Sequence, residues 1–190
     1  MRCIVSTFFM ALYKNKYRIE SARLSTWDYA GDGLYFITIC TKNREHFFGE
    51  CSDGKMKLST VGAIVQGFWF DIPNHFDNVY LGEFVVMPNH IHGILSVQKP
   101  EIAPEDLNNK PVDEEHTLIR RISPKAGSLP VVIGSFKSVC SKHIHKTFPT
   151  LNFAWQERYW DNIIRDATAH NTISEYILNN PKNWGKDKFY

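Results

Sequence analysis

The tripeptide His-Ile-His occurs twice in the chain, at residues 90–92 and at residues 143–145. Imidazole nitrogens are common metal ligands, so each copy is a candidate part of a metal site. In a β-strand, residues i and i+2 project from the same face, and two imidazoles can then approach one ion. In an α-helix the same two positions point about 200° apart. The secondary structure around each copy therefore decides which pair can chelate.

The flanking residues predict a strand for the first copy and a helix for the second. Residues 90–97 form an apolar run in which Ile91, Leu95 and Val97 share one face, leaving the histidines on the other. Residues 133–145 instead keep helical spacing. We therefore interpret His90 and His92 as candidate metal ligands, and the second pair as a basic helix end near phosphate or solvent. Two imidazoles leave an ion under-coordinated, so a further ligand is required.

A phenol and an amide share one face of a predicted helix near the C-terminus. In residues 171–180 the apolar Ile173 and Ile177 can face the core, and Tyr176 and Asn180 form a second stripe at i and i+4. Both polar side chains then point the same way, one turn apart. On spacing alone, a tyrosine at the core rim with Asn180 as the helix C-cap remains an alternative.

The elements that must position these residues alternate between strands and helices. Predicted strands cover residues 34–41, 79–87 and 90–97, a hairpin lies within 46–58, and further helices cover 59–70 and 133–145. This order predicts an α+β fold, a ferredoxin-like antiparallel sheet with helices packed on it.

A single domain is expected over residues 21–190, after an N-terminal extension at 1–20. Residues 98–130 carry six acidic residues between Glu101 and Glu115 and five prolines, which predicts a flexible loop. The apolar stretch near the N-terminus is too short to span a bilayer. The four cysteines form no C-x-x-C pair, which argues against a zinc-binding structural domain and a disulfide framework and favours a cytoplasmic location.

The charge is unevenly distributed along the chain. The net charge is +2, but residues 1–119 hold 11 Lys and Arg against 15 Asp and Glu, a balance of −4. Residues 120–190 hold 11 against 5, a balance of +6. The basic end could meet a phosphate backbone, although a solvated basic surface explains the charge equally well.

The stretch from Val85 to Leu95, with Met87-Pro88-Asn89-His90-Ile91-His92, resembles the signature of HUH single-tyrosine transposases. Within that group the chain is most similar to the REP-associated tyrosine transposases. Further stretches agree in order: Arg23-Leu24, Trp27-Asp28-Tyr29, Tyr35 to Thr41, Phe136-Lys137-Ser138, Trp155 to Asp161, Ile163-Ile164-Arg165 and Tyr176 to Pro181. The resemblance covers about residues 20–187, interrupted by the 98–130 loop.

The resemblance implies a metal-dependent single-strand DNA endonuclease and strand transferase acting on hairpin or palindromic repeat DNA. His90 and His92 would hold Mg²⁺ or Mn²⁺, and Tyr176 would be the nucleophile that forms a 5′-phosphotyrosine. Insertion-sequence relatives carry a Gln one turn after the tyrosine as a further metal ligand, and Asn180, one methylene shorter, occupies that position here. Tyr159 is the rival nucleophile.

Several side chains are candidates for DNA contacts near such a site: Lys137, Lys142, Arg158 and Arg165 for the backbone, with Trp155 for stacking on bases. Relatives work as dimers or as monomers, so a homodimer and a monomer are both open. The alternative function is a catalytically inactive, domesticated repeat-DNA-binding protein on the same fold.

Overall fold

The computed structural model describes residues 27–99 and 125–186, so the predicted extension at 1–20 and most of the predicted 98–130 loop lie outside the described residues. Within these ranges, six strands are β1 (Gly33–Cys40), β2 (Gly49–Ser52), β3 (Lys55–Leu58), β4 (Val79–Met87), β5 (His90–Val97) and β6 (Trp160–Ile163). The α-helices are α1 (Thr60–Phe70), α2 (Leu129–Thr147) and α3 (Ala167–Asn179). Short 3-10 helices cover Lys42–Arg44, Ile72–Asn74 and Pro181–Lys186.

Four of the strands form one antiparallel sheet in the order β4-β5-β1-β6. The central strand β1 pairs with β5 from Gly33 opposite Val97 to Cys40 opposite His90, and with β6 on its other side. The β2–β3 hairpin is an insertion between β1 and α1. The element order β-α-β-β-α-β and this sheet confirm the predicted ferredoxin-like α+β fold.

The two faces of the sheet are covered differently. The main core lies between the sheet and helices α1 and α2, where Trp69 and Phe136 are almost fully buried. The smaller second cluster joins Ile94 of β5 to Ile177 of α3 on the opposite face. Because β5 is covered on both faces, all of its residues except Ser96 are buried, including both histidines.

Local sequence signals explain where the elements begin. The Ser59 hydroxyl accepts a hydrogen bond from the Gly62 amide and caps α1, as the Asp166 carboxylate does for α3. Asp53 and Gly54 take positive φ angles of 51° and 69° between β2 and β3, as the predicted tight hairpin requires. A side chain at Gly93 would overlap the Trp69 ring, so this glycine lets β5 lie directly on the indole.

Two helix starts differ by four residues from the sequence prediction, and one strand was not predicted. Helix α2 begins at Leu129 because Pro130 is accommodated in its first turn, where no backbone donor is needed. Helix α3 begins at Ala167, four residues earlier than predicted, after the Asp166 cap. Strand β6 was not predicted: it is four residues long and its burial alternates only between exposed and half-buried. No helix in the described ranges is long and apolar enough to cross a membrane.

Candidate active site

The two imidazoles of β5 meet beneath helix α3. The Nε2 atoms of His90 and His92 are 3.0 Å apart, and the ring planes are inclined at 70°. The side chains are 0% and 1% exposed. The strand therefore places both nitrogens at one buried point, as its alternation predicts.

The other ring nitrogen of His90 is held by Asn89. Nδ1 lies 2.8 Å from the Asn89 Oδ1, and the Asn89 Nδ2 donates to the Arg44 carbonyl oxygen at 3.2 Å. Because the amide nitrogen is used by that carbonyl, Oδ1 must accept the hydrogen from Nδ1. The lone pair of His90 is thus left on Nε2, which faces His92. Such an orienting partner is typical of metal-binding histidines.

His92 is oriented from the neighbouring strand. Thr38 lies opposite His92 in the β1–β5 register, and its hydroxyl is 2.8 Å from the His92 Nδ1. A hydroxyl can donate or accept, so either tautomer of His92 is satisfied. The Nε2 of His92 can therefore carry a hydrogen toward His90 or offer a lone pair to an ion.

The turn before β5 is anchored to a strained segment. The Asn89 carbonyl accepts from both the amide (2.9 Å) and the hydroxyl (3.0 Å) of Thr41. Asn43 and Arg44 have positive φ angles of 55° and 58°, at an expected cost of about 1–3 kcal/mol each. This backbone presents the Arg44 carbonyl to Asn89, so the surroundings keep it in place.

Tyr176 reaches the histidines from helix α3. Its hydroxyl is 3.3 Å from the His92 Nε2, and the two ring centroids are 5.3 Å apart. The Phe36 ring contacts both His92 and Tyr176, at 5.2 and 6.0 Å. Tyr176 is 41% exposed, so the phenol joins the buried histidines to the surface.

Helix α3 is fixed to the sheet by a polar contact as well as by Ile177. The Ser174 hydroxyl donates to the Glu83 carboxylate at 2.9 Å, and the His170 Nε2 lies 3.9 Å from the same oxygen. Ser174 is 8% exposed. This contact lies two residues from Tyr176, so we expect it to help position the phenol.

Asn180 follows Tyr176 by one turn and is 1% exposed. Its Oδ1 has no hydrogen-bond partner among the described residues, although its backbone groups bond to Ile177 and Asn183. A buried, unpaired carbonyl oxygen costs about 1–3 kcal/mol, so such an atom calls for an explanation. A bound cation or water supplies one.

The separation of the two Nε2 atoms is compatible with a shared divalent cation. Two ligands that are about 2.1 Å from one ion and about 90° apart lie about 3.0 Å from each other, and the two Nε2 atoms have this separation. The same separation also suits an N–H···N hydrogen bond in the metal-free state. In residues 27–99 and 125–186, no three His, Cys, Asp or Glu side chains are grouped so that they could hold a metal ion, so further ligands would be Asn180, water or substrate oxygens.

The rival nucleophile and the second histidine pair lie elsewhere. Tyr159 packs against the main core, on the face of the sheet away from His90 and His92. His143 and His145 are exposed in the last turns of α2, as predicted. The His143 ring contacts Phe68, whereas the His145 Nε2 contacts the Phe153 carbonyl oxygen. These two rings have separate partners and do not form a second pair.

The predicted DNA-contacting residues fall into two groups. Lys142, Arg158 and Arg165 are exposed, and their DNA role stays a prediction. Lys137 and Trp155 are partly buried: Lys137 Nζ donates to the Gln156 and Glu157 carbonyls, and Trp155 Nε1 donates to the Lys137 carbonyl. Burial lowers the pKa of Lys137. Both residues therefore contribute to packing.

Sequence reasoning did not identify the residues that orient and cover the histidines. Thr38 and Asn89 lie within stretches that carry the family resemblance, but the sequence does not indicate their orienting role, because their partners are set by strand register and turn geometry. Trp184, which is 8% exposed, places its ring 5.9 Å from the His90 ring. Trp184 belongs to the 3-10 helix Pro181–Lys186, which follows α3, so this helix places the indole ring against His90.

Comparison with known proteins gives one relative and a set of similar folds. No family model matches the chain. A REP-associated tyrosine transposase bound to a REP hairpin has a similar structure, with a TM-score of 0.48 and 18% identity over 90% of this chain and 77% of that one. A Deinococcus radiodurans R1 protein, named provisionally as a transposase, gives 0.46 and 16% over 85% and 97%.

The relative in sequence is an uncharacterized protein of Haemophilus influenzae. It is 36% identical over 173 residues, which cover 90% of this chain and 92% of the relative. The chain therefore belongs to the same protein family as this Haemophilus influenzae protein.

Proposed function

We propose that this chain is an HUH tyrosine transposase: a metal-dependent enzyme that nicks and rejoins single-stranded DNA through a 5′-phosphotyrosine. The observation that carries the proposal is the convergence of three groups on one sheet face. The Nε2 atoms of His90 and His92 face each other, and the Tyr176 hydroxyl lies 3.3 Å from the second. The resemblance of the surrounding motifs to that transposase group agrees with this arrangement.

Tyr176 is the nucleophile in this proposal. Its oxygen attacks the phosphorus of a phosphodiester, the bond to the 3′ oxygen breaks, and that oxygen leaves as a 3′-hydroxyl after gaining a proton. A phenol with an ordinary pKa near 10 is a weak nucleophile at neutral pH, so the site must assist it. Because Tyr176 is exposed, a DNA strand can reach its hydroxyl from solvent. The proton that the phenol loses can pass to solvent by the same route.

His90 and His92 would hold Mg²⁺ or Mn²⁺, with Asn180 as a further ligand directly or through water. The bound ion would stabilise the negative charge that develops on the phosphate oxygens. Manganese accepts imidazole ligands more readily than magnesium does. Asn89 and Thr38 keep the two imidazoles in place for this role.

The covalent intermediate explains why rejoining needs no external energy source. The phosphotyrosine bond replaces the phosphodiester bond, so a 3′-hydroxyl of a second DNA end can attack it and release Tyr176. Hairpin or palindromic repeat DNA is the proposed substrate, on the strength of the motif resemblance.

The test incubates the full chain with a panel of labelled single-stranded hairpin DNAs and Mn²⁺, then resolves covalent adducts on a denaturing gel. We expect an adduct with the unaltered chain and with Tyr159→Phe, and none with Tyr176→Phe. An adduct that persists in Tyr176→Phe contradicts the assignment of the nucleophile. If the unaltered chain forms no adduct but binds the hairpins, the protein is a repeat-DNA-binding protein on the same fold.

A further inference from the structure

A second concave surface lies beside the turn that holds His90. Residues 41–44 and 154–158 line a groove of about 850 Å³, which we call the basic groove. Its volume falls within the range of about 300–1,000 Å³ that is usual for sites holding compact ligands. It can therefore take a short stretch of an extended molecule.

The two walls of the basic groove are joined by backbone hydrogen bonds. The Lys42 amide donates to the Ala154 carbonyl at 2.8 Å, and the Gln156 amide donates to the Cys40 carbonyl at 2.9 Å. From helix α2, Lys137 Nζ donates to the carbonyls of Gln156 and Glu157, at 2.7 and 3.0 Å. The shape is thus preformed, which reduces the entropy cost of binding.

The charge of the basic groove favours an anionic ligand. Lys42, Arg44 and Arg158 are exposed in its lining, and Glu157 is the one acidic residue there, so the lining carries a balance of +2. The half-buried Trp155 adds an aromatic surface among these cations. Cationic side chains interleaved with an aromatic ring are typical of grooves that follow a single nucleic-acid strand.

The basic groove is connected to the histidine site through Asn89, which is hydrogen-bonded to two residues of the lining. Arg44 lines the groove, and its carbonyl oxygen accepts a hydrogen bond from the side-chain amide of Asn89, the residue that orients His90. Thr41, also in the lining, holds the Asn89 carbonyl. A strand lying in the groove would therefore run directly beside the turn that carries His90.

We propose that the basic groove binds the single-stranded DNA segment next to the nick, with Lys42, Arg44 and Arg158 neutralising its phosphates. This inference rests on the proposed function, because it assigns a binding surface to the same substrate. A strand held there lies beside the Asn89 turn that orients His90, and holding a substrate close to the reacting groups favours an efficient reaction.

The test measures binding without cleavage, using the full chain in EDTA and the fluorescence anisotropy of a labelled single-stranded oligothymidylate. The variant Lys42→Gln/Arg158→Gln is expected to bind at least about tenfold more weakly and to lower the salt slope by about 1.4, since each phosphate contact contributes about 0.7. The control Lys55→Gln/Lys57→Gln removes the same charge from exposed positions of β3 and should change the affinity less than twofold.

Equal losses in the two variants, or no loss in the first, overturn the proposal. If a duplex of the same length binds as tightly as the single strand, the claim that the basic groove is specific for single-stranded DNA is wrong.

Failure of the groove can be distinguished from failure of the catalytic proposal. Suppose that the unaltered chain forms no covalent adduct, but that Lys42→Gln/Arg158→Gln binds the strand more weakly than the control variant does. Then the groove binds DNA as proposed, and the catalytic proposal is wrong. If the adduct forms through Tyr176 while both charge variants bind like the unaltered chain, the catalytic proposal is supported, and the proposal that the basic groove binds DNA is wrong.

Discussion

The two His-Ile-His segments share one sequence but differ in the burial of their imidazoles and in the partners of the rings. In β5 the imidazoles are buried, and their Nε2 atoms are 3.0 Å apart. In α2 the imidazoles are exposed and have separate partners, the Phe68 ring and the Phe153 carbonyl. Backbone periodicity alone decides whether the two rings meet, because i and i+2 share a face only in a strand.

The two histidine pairs differ in more than whether their rings approach each other, because neighbouring residues also orient the rings of the β5 pair. Asn89 fixes the tautomer of His90, and Thr38 holds His92 from the adjacent strand. The comparison therefore separates three contributions: the imidazoles themselves, the further donor Asn180 and the orienting residues. Variants of each can be ordered by expected effect.

Loss of an imidazole should give the largest change. His90→Ala or His92→Ala is expected to weaken Mn²⁺ binding at least about 100-fold, because removing a ligand should cost more than the 10–100-fold typical of an orienting residue. Isothermal titration of the full chain with Mn²⁺ measures this. His143→Ala and His145→Ala are the matched controls and should bind like the unaltered chain. If both copies contribute equally, the contrast between strand and helix is wrong.

Replacing Asn180 should separate metal binding from stability. Asn180→Leu is expected to weaken Mn²⁺ binding about tenfold or more, whereas the metal-free protein should unfold no more easily, because an unpaired buried oxygen worth about 1–3 kcal/mol is removed. Urea unfolding in EDTA and Mn²⁺ titration provide the two readings. The exposed neighbour Asn179→Leu serves as control. Destabilisation with unchanged Mn²⁺ affinity would show that Asn180 only caps the helix.

The orienting residues should have an intermediate effect. Asn89→Ala and Thr38→Val leave both imidazoles in place but remove their Nδ1 partners, so Mn²⁺ affinity should fall about tenfold, the lower end of the range usual for such partners. Asn74→Ala, which removes an exposed amide bonded to Asp71, is the control. Unchanged affinity in both variants would mean that burial in the sheet suffices to orient the rings.

Loss of the contact between α3 and β4 should have the smallest effect on the reaction. Ser174→Ala removes the hydrogen bond to Glu83, with an expected loss of about 1 kcal/mol in the free energy of unfolding. Covalent adduct formation should slow a few-fold while Mn²⁺ affinity is kept, because the tyrosine and not the histidines is displaced. Thr172→Ala, on the exposed side of the same helix, should leave the rate unchanged. Loss of Mn²⁺ affinity in Ser174→Ala would contradict this separation.

Much of the fold follows from local patterns. The strands β4 and β5 have the predicted bounds, because long apolar runs on either side of Pro88-Asn89 leave one place for the turn. Strand β6 could not be predicted, since an edge strand of four residues lacks a buried face to reveal its period. Its pairing with β1 depends on the assembled sheet.

The candidate site was predictable only in part, for a similar reason. Spacing places His90 with His92 on one strand face and Tyr176 with Asn180 on one helix face, and the family resemblance gives these four residues their expected roles. The partners that complete the site are distant in sequence: Thr38 is 54 residues from His92, and Arg44 is 45 residues from Asn89. Such pairs follow from strand register and from a strained turn, which periodicity does not encode.

The proposed nucleophile is tested by identifying the amino acid that becomes attached to DNA. The full chain is incubated with a hairpin substrate and Mn²⁺, denatured, and digested with nuclease and protease before the modified peptide is mapped by mass spectrometry. We expect a nucleotide-sized mass increase on the peptide that carries Tyr176, located on that tyrosine by fragmentation, and no such increase in His90→Ala. A modification on Tyr159, or an equal yield in His90→Ala, would contradict this expectation.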